Sequence, residues 1–160
     1  MARYTGKIER GSSSMWKSLL AIVRDRNSVD STTPPPVEIA GLALMLEISR
    51  ADHNHTAPEQ AAIVTAATRV LNLDQATLDL LLPHAEVAVD EAISFHDFTQ
   101  VLNETLDRAG KCRLLEQLWR VAYADGELDR YEEYYLRKIA DLLHLGHADL
   151  IRTKLAASPQ

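Results

Sequence analysis

Two stretches of this chain can be laid over one another. Residues 44–60, LMLEISRADHNHTAPEQ, align with residues 117–133, QLWRVAYADGELDRYEE, at a constant offset of 73 residues. The alignment pairs Ala51 with Ala124, Asp52 with Asp125 and Glu59 with Glu132. Each copy starts in an apolar helical stretch, passes through an acidic turn and enters a second helix, with an amphipathic third element beyond. A helical unit of this kind cannot bury its apolar face alone, so two copies are expected to share one core. The duplication predicts an all-α fold: a compact bundle of six to eight helices built from two pseudo-symmetric helix hairpins.

The rest of the pattern agrees. Ile39, Leu42, Ala43 and Leu46 keep the i, i+3, i+4, i+7 spacing of a buried helical face, and Leu44, Met45 and Ile48 widen it, so this first helix is expected to be central. Thr56-Ala-Pro-Glu59 has the form of a capping box and opens a helix to about Leu71. Asp74 caps another, with Pro83 expected to kink or break it. Ser94-Phe-His-Asp97 opens a helix to about Leu106, and residues 111–124 form the next. Asp129-Arg-Tyr-Glu132 is a second capping box, opening a helix to Leu143, and Gly146 precedes a short last helix. At the same offset of 73, Glu47 matches Arg120. Two central helices bearing an acid and a base at equivalent places predict an ion pair between them.

Three regions follow from composition. Residues 1–36 read as a polar tail, a short amphipathic helix and the proline-rich linker NSVDSTTPPP; residues 37–156 are the helical domain; residues 157–160 are a tail. Met15 is an alternative start. Over residues 15–26, Trp16, Leu19, Leu20 and Val23 share a helical face, with Lys17, Arg24 and Arg26 largely off it. That helix either packs back on its own domain or makes a peripheral membrane or partner contact. No segment reaches the roughly 20 apolar residues of a membrane span. With one cysteine, Cys112, no internal disulfide can form, which points to a reducing, cytoplasmic setting. The net charge of −6 argues against a nucleic-acid partner, since phosphate binding needs clustered Lys and Arg.

The acidic turns are the candidate site. Aligned on Gly126, the stretch from Asp125 to Glu132 resembles the back half of a calcium loop, but Val121 and Tyr123 occupy the places of the first and third ligands. It is not an EF-hand. Helix capping by Asp129, Glu132, Thr56 and Glu59 explains much of the pattern, and Gly126 supplies a left-handed turn past a helix end. Asp52 and Asp125 are different, because a carboxylate at a helix C-terminus opposes the dipole. A bound cation, a neighbouring base such as Arg137, or nearby backbone amides would each offset that cost. In the first turn His53 and His55 join Asp52 and Glu59, a donor set suited to a transition metal such as zinc, or else two solvated loop histidines. No phosphate loop, Cys–His spacing or catalytic carboxylate pair is present, so no enzyme is expected; a metal-dependent hydrolase on Asp52, His53 and His55 is the enzymatic alternative.

The two turns, the phrase AISFHDFTQVLNETL (92–106) and the stretch LLEQLWRVAYADGELDRYEEYYLRKIADLLHLGHADLIRTKL (114–155) resemble the TerB-like family, the tellurite-resistance TerB proteins and relatives that include the N-terminal domain of DjlA-type membrane J-proteins. The likeness spans roughly residues 37–156. It is closest in the second repeat; in the first, His53 stands where the family has glycine. The resemblance implies a compact helical domain of two similar halves, divalent-cation binding (Ca²⁺ or another ion) through Asp52 and Glu59 and through Asp125, Glu127, Asp129 and Glu132, and a protein partner. It also implies a bacterial cytoplasmic protein working in metal or chemical stress, in part at the inner face of the membrane. Oligomeric state is not implied.

Overall fold

The computed structural model describes residues 37–51, 56–92 and 94–160. The expected tail, amphipathic helix and linker of residues 1–36 lie outside the described residues, as do residues 52–55 of the first turn. Seven helices are present among the described residues: α1 Val37–Arg50, α2 Ala57–Val70, α3 Gln75–Glu91, α4 His96–Thr105, α5 Arg108–Ala122, α6 Arg130–Leu142 and α7 His147–Ala157. No strand occurs among those residues, and the fold is all-α.

Helix α1 is the axis of the bundle. Ile39, Leu42, Leu44, Met45 and Ile48 expose none of their surface, although they point to several sides of the helix. A helix apolar all round must be surrounded, and α1 packs against α2, α3, α4, α5 and α6. Full burial of a side chain such as Leu42 contributes about 1.5–3 kcal/mol. Its repeat partner α5 is the second central element, touching α1, α2, α6 and α7. Leu114, Leu115, Leu118, Trp119 and Val121 of α5 are wholly buried. The first helix of each repeat thus supplies the core, and the second helices lie against them.

The duplication is visible in the backbone, with one change of step. Both corners carry complete capping boxes: Thr56 with Glu59 opens α2, and Asp129 with Glu132 opens α6, 73 residues further on. Past the second helix the offset becomes 72. Asn72 and His144 are the two non-glycine residues with positive φ, 54° and 59°, among the described residues. Buried Leu73 and Leu145 follow them, and Asp74 and Gly146 then stand as N-caps of α3 and α7. The step is one residue shorter because α2 has 14 residues and α6 has 13. Helix α4 lies between the copies and belongs to neither.

Four expectations need correction. Pro83 does not break its helix: α3 runs unbroken from Gln75 to Glu91. Pro83 is exposed while Leu78, Leu81, Ala85, Ala88 and Val89 are buried on the same helix, so the carbonyl it leaves without a donor lies on the solvent side and the packed face carries the helix through. The helix expected at 111 begins at Arg108, because Asp107 accepts the Gly110 N–H at 2.7 Å and caps it. Glu47 and Arg120 form no ion pair. Arg120 instead binds Glu116, one turn back on its own helix, at 2.6 Å. Helix α4 starts with a looser cap than expected: Ser94 Oγ accepts the His96 N–H at 3.3 Å, with no capping box.

Candidate functional site

The first corner is built around Glu59. It is the third residue of α2, and its carboxylate is drawn inward where α2 meets the end of α1. Ser49 Oγ donates to Glu59 Oε2 at 2.9 Å, and the Thr56 backbone N–H donates to the same oxygen at 3.3 Å. In return Thr56 Oγ1 accepts the Glu59 N–H at 3.4 Å. Glu59 exposes 0% of its surface, and its second oxygen, Oε1, has no hydrogen-bond partner among the described residues. A buried carboxylate oxygen left without a donor costs about 1–3 kcal/mol or more. In sequence the corner is closed by residues 52–55, which carry Asp52, His53 and His55 and lie outside the described residues.

The second corner is arranged differently. Asp125 is exposed, and its Oδ1 accepts the Glu127 N–H at 3.1 Å. A backbone amide therefore offsets its position past the end of α5, whereas Arg137 is engaged with Glu133 at 2.6 Å. Glu127 is exposed. Asp129 Oδ1 accepts the Tyr131 N–H at 2.7 Å, and buried Glu132 accepts the Asp129 N–H at 2.9 Å through Oε2. Gly126, at φ 94°, makes the left-handed turn that this corner requires. Position 49 of the first repeat, a serine, corresponds to Ala122 in the second, so the hydroxyl at that position is not repeated. Among the described residues no group of three or more His, Cys, Asp or Glu side chains gathers as a metal-holding set.

Beside the first corner lies a cleft of about 420 Å³ lined by Glu47, Arg50, Ala51, Tyr131 and Tyr135. Arg50 is tied to Asp90 at the end of α3 by a 2.9 Å ion pair. Burial raises the Glu47 carboxyl above its ordinary value, with Arg50 opposing the shift and Asp90 adding to it. Tyr135 packs edge-on against Phe95, with ring centroids 5.3 Å apart, while Tyr131 and Tyr134 are 50% and 59% exposed. The aromatic start of α6 thus divides into one packed ring and two open ones.

A second polar cluster leaves little trace in the sequence. Asp149 on α7 is 4% exposed, and its Oδ2 accepts from Arg108 Nη2 and Nε at 2.9 and 3.2 Å. Its Oδ1 accepts from Arg152 Nη2 at 3.0 Å, and that nitrogen also donates to Cys112 Sγ at 3.3 Å. These arginine contacts hold the Asp149 carboxyl below its ordinary value, the Arg152 hydrogen bond most. In sequence, only the local pairs Arg108/Cys112 (i, i+4) and Asp149/Arg152 (i, i+3) could have flagged it. Their meeting depends on the packing of α5 against α7.

Among the described residues no helix is long and apolar enough to cross a membrane. The family model for tellurite resistance protein TerB matches residues 38–155. Searches of curated proteins and of solved structures found no match.

Proposed function

The chain belongs to the tellurite resistance protein TerB family, and from that premise we propose that it is a non-enzymatic helical module in a bacterial response to metal or chemical stress. In this reading its first corner takes up a divalent cation, and its surface meets a protein partner. The supporting observation is Glu59, a wholly buried carboxylate beside Asp52, His53 and His55 in sequence, whose Oε1 has no donor among the described residues. A cation would supply the positive charge that this oxygen lacks. Glu59 and Asp52 offer hard oxygen ligands suited to Ca²⁺ or Mg²⁺, and His53 and His55 shift the preference towards zinc-like ions. The open ring of Tyr131, in the cleft beside that corner, and that of Tyr134 on the same helix support a partner surface, because exposed tyrosines are enriched where proteins meet.

Thermal unfolding of the full chain with Ca²⁺, Mg²⁺, Mn²⁺ or Zn²⁺, each against a chelator, tests this. An ion that binds the folded state raises the midpoint in step with its occupancy. The expected result is a rise for at least one ion that disappears in Glu59→Gln. No shift for any of the four at millimolar concentration would reject the cation.

A second reading, a metal-free scaffold docking a partner or the inner membrane face through residues 15–26, draws support from the second corner. There Asp125, Asp129 and Glu132 each already accept a backbone N–H. It predicts flat ion titrations.

A further inference from the structure

Between the start of α5 and the body of α7 runs a cleft of about 520 Å³, lined by Arg108, Ala109, Cys112, Arg113, Glu116, Arg152, Thr153 and Ala156. The chain carries a net charge of −6, yet this cleft is rich in guanidinium groups. Three arginines line it, and its one lining carboxylate, Glu116, is already bound to Arg120 at 2.6 Å. Buried Asp149 holds Arg108 and Arg152 from behind, at 2.9 and 3.0 Å, while the side chains of those two arginines remain 77% and 65% exposed. Of these groups, four guanidiniums stand against two carboxylates, so a positive excess remains. The arginine forks are fixed in advance rather than free to wander, which lowers the ordering cost of binding.

The rest of the lining indicates what fits. Arg108 and Ala109 are the first residues of α5, whose N-terminus is already capped by Asp107 through the Gly110 N–H at 2.7 Å, so the positive field of the cleft comes from its arginines. The remaining lining includes Ala109, Ala156 and Thr153, and Thr153 Oγ1 is turned away to the Asp149 and Leu150 carbonyls at 2.8 and 3.0 Å. The cleft is far larger than one oxyanion and lies within the size range of small-molecule sites.

We infer that the α5–α7 cleft is a binding site for a small phosphorylated molecule, its phosphate held by Arg108, Arg113 and Arg152 and its organic part lying over Ala109 and Ala156. Planar guanidiniums pair with phosphate oxygens through two parallel hydrogen bonds, which lysines do not reproduce. The site is separate from the acidic corners and does not depend on a cation there.

Calorimetric titration and amide NMR of the full chain with inorganic phosphate and with adenosine monophosphate test the assignment. Cys112, the chain's one cysteine, is a built-in reporter because it lines the same cleft and its sulfur accepts from Arg152 at 3.3 Å. Saturable binding should move amide signals of residues 108–113 and 152–156 and slow alkylation of Cys112 by iodoacetamide, read by mass. Arg152→Gln should weaken binding about tenfold or more. Arg113→Gln should do the same, and it leaves the Asp149 network and therefore the fold intact. Absence of saturable binding of either probe at millimolar concentration would overturn the site, as would binding that both variants leave unchanged. Equal affinity for the two probes would overturn the role given to Ala109 and Ala156.

Discussion

Ser49 and Glu59 meet across the first corner, hydroxyl to carboxylate, at 2.9 Å in the protein interior. The contact ties the last turn of α1 to the first turn of α2, and the second repeat does not copy it, since Ala122 occupies the equivalent place. A buried hydrogen bond to a carboxylate contributes about 1.5–3 kcal/mol, so Ser49→Ala should destabilise the chain by that amount in chemical denaturation. The mirror substitution, Ala122→Ser, has no such oxygen to lose and serves as the comparison. Equal effects at the two positions would mean that the corners are alike after all.

The second corner rests on its cap and its glycine. Asp129→Ala removes the acceptor for the Tyr131 N–H and should cost about 1 kcal/mol. Gly126→Ala meets no neighbouring atom, because nothing lies within 4 Å of the added carbon. Its cost is conformational: an alanine forced to φ 94° should lose about 1–2 kcal/mol. Urea midpoints for the two variants separate a lost hydrogen bond from a strained backbone only if each is compared with its gentler partner, Asp129→Asn and Gly126→Asn. Both partners should recover part of the loss.

What the sequence reveals of this fold is mostly what is local. Capping boxes are written within four residues, and both form as read, as does the turn at Gly126. Central burial of α1 follows from apolar residues on every side of it. The early start of α5, set by the Asp107 cap, is a local miss, and the other failures are non-local. Pro83 reads as a kink or a break, and the break is excluded only once the buried face beneath it is known. Glu47 and Arg120 occupy equivalent positions in the repeat, but equivalence under a pseudo-two-fold does not make two residues neighbours, and Arg120 finds Glu116 on its own helix first. The Arg108–Asp149–Arg152 cluster joins residues about 40 positions apart and leaves only faint local traces. Of the candidate metal residues, Asp125, Asp129 and Glu132 each accept a backbone N–H at the second corner and Glu127 is exposed, while Glu59 at the first is wholly buried, with one oxygen that has no donor among the described residues.

Asp149 makes part of the stability acid-labile. Its folded value lies below the ordinary 3.8, through hydrogen bonds from Arg152 and Arg108. Such a group stabilises the fold in full above its unfolded value and loses that contribution as pH falls through the lower folded value. Asp149→Asn should therefore destabilise the chain at pH 7 and flatten the acid limb below about pH 4. Unfolding midpoints of the two proteins should converge as pH drops. Parallel curves would show that the arginines do not sense the charge on Asp149.

Glu47 should behave in the opposite sense. Burial in the cleft beside Arg50, Tyr131 and Tyr135 raises its value above the ordinary 4.5, with Arg50 only partly offsetting the shift. The folded state then holds the proton more tightly than the unfolded chain, and the slope of stability with pH is negative between the two values. At neutral pH the ionised carboxylate opposes folding. Glu47→Gln keeps the shape and removes the charge, so it should raise the unfolding midpoint at pH 7 and leave it nearly unchanged at pH 4, where the wild-type side chain already carries its proton. The predicted Arg120 ion pair would have had the reverse effect, since breaking a salt bridge destabilises most where both partners are charged. A lower midpoint at pH 7 in Glu47→Gln would mean that the carboxylate has a favourable partner in solution, Arg50 being the nearest candidate, and that its charge is held in the cleft rather than merely tolerated there.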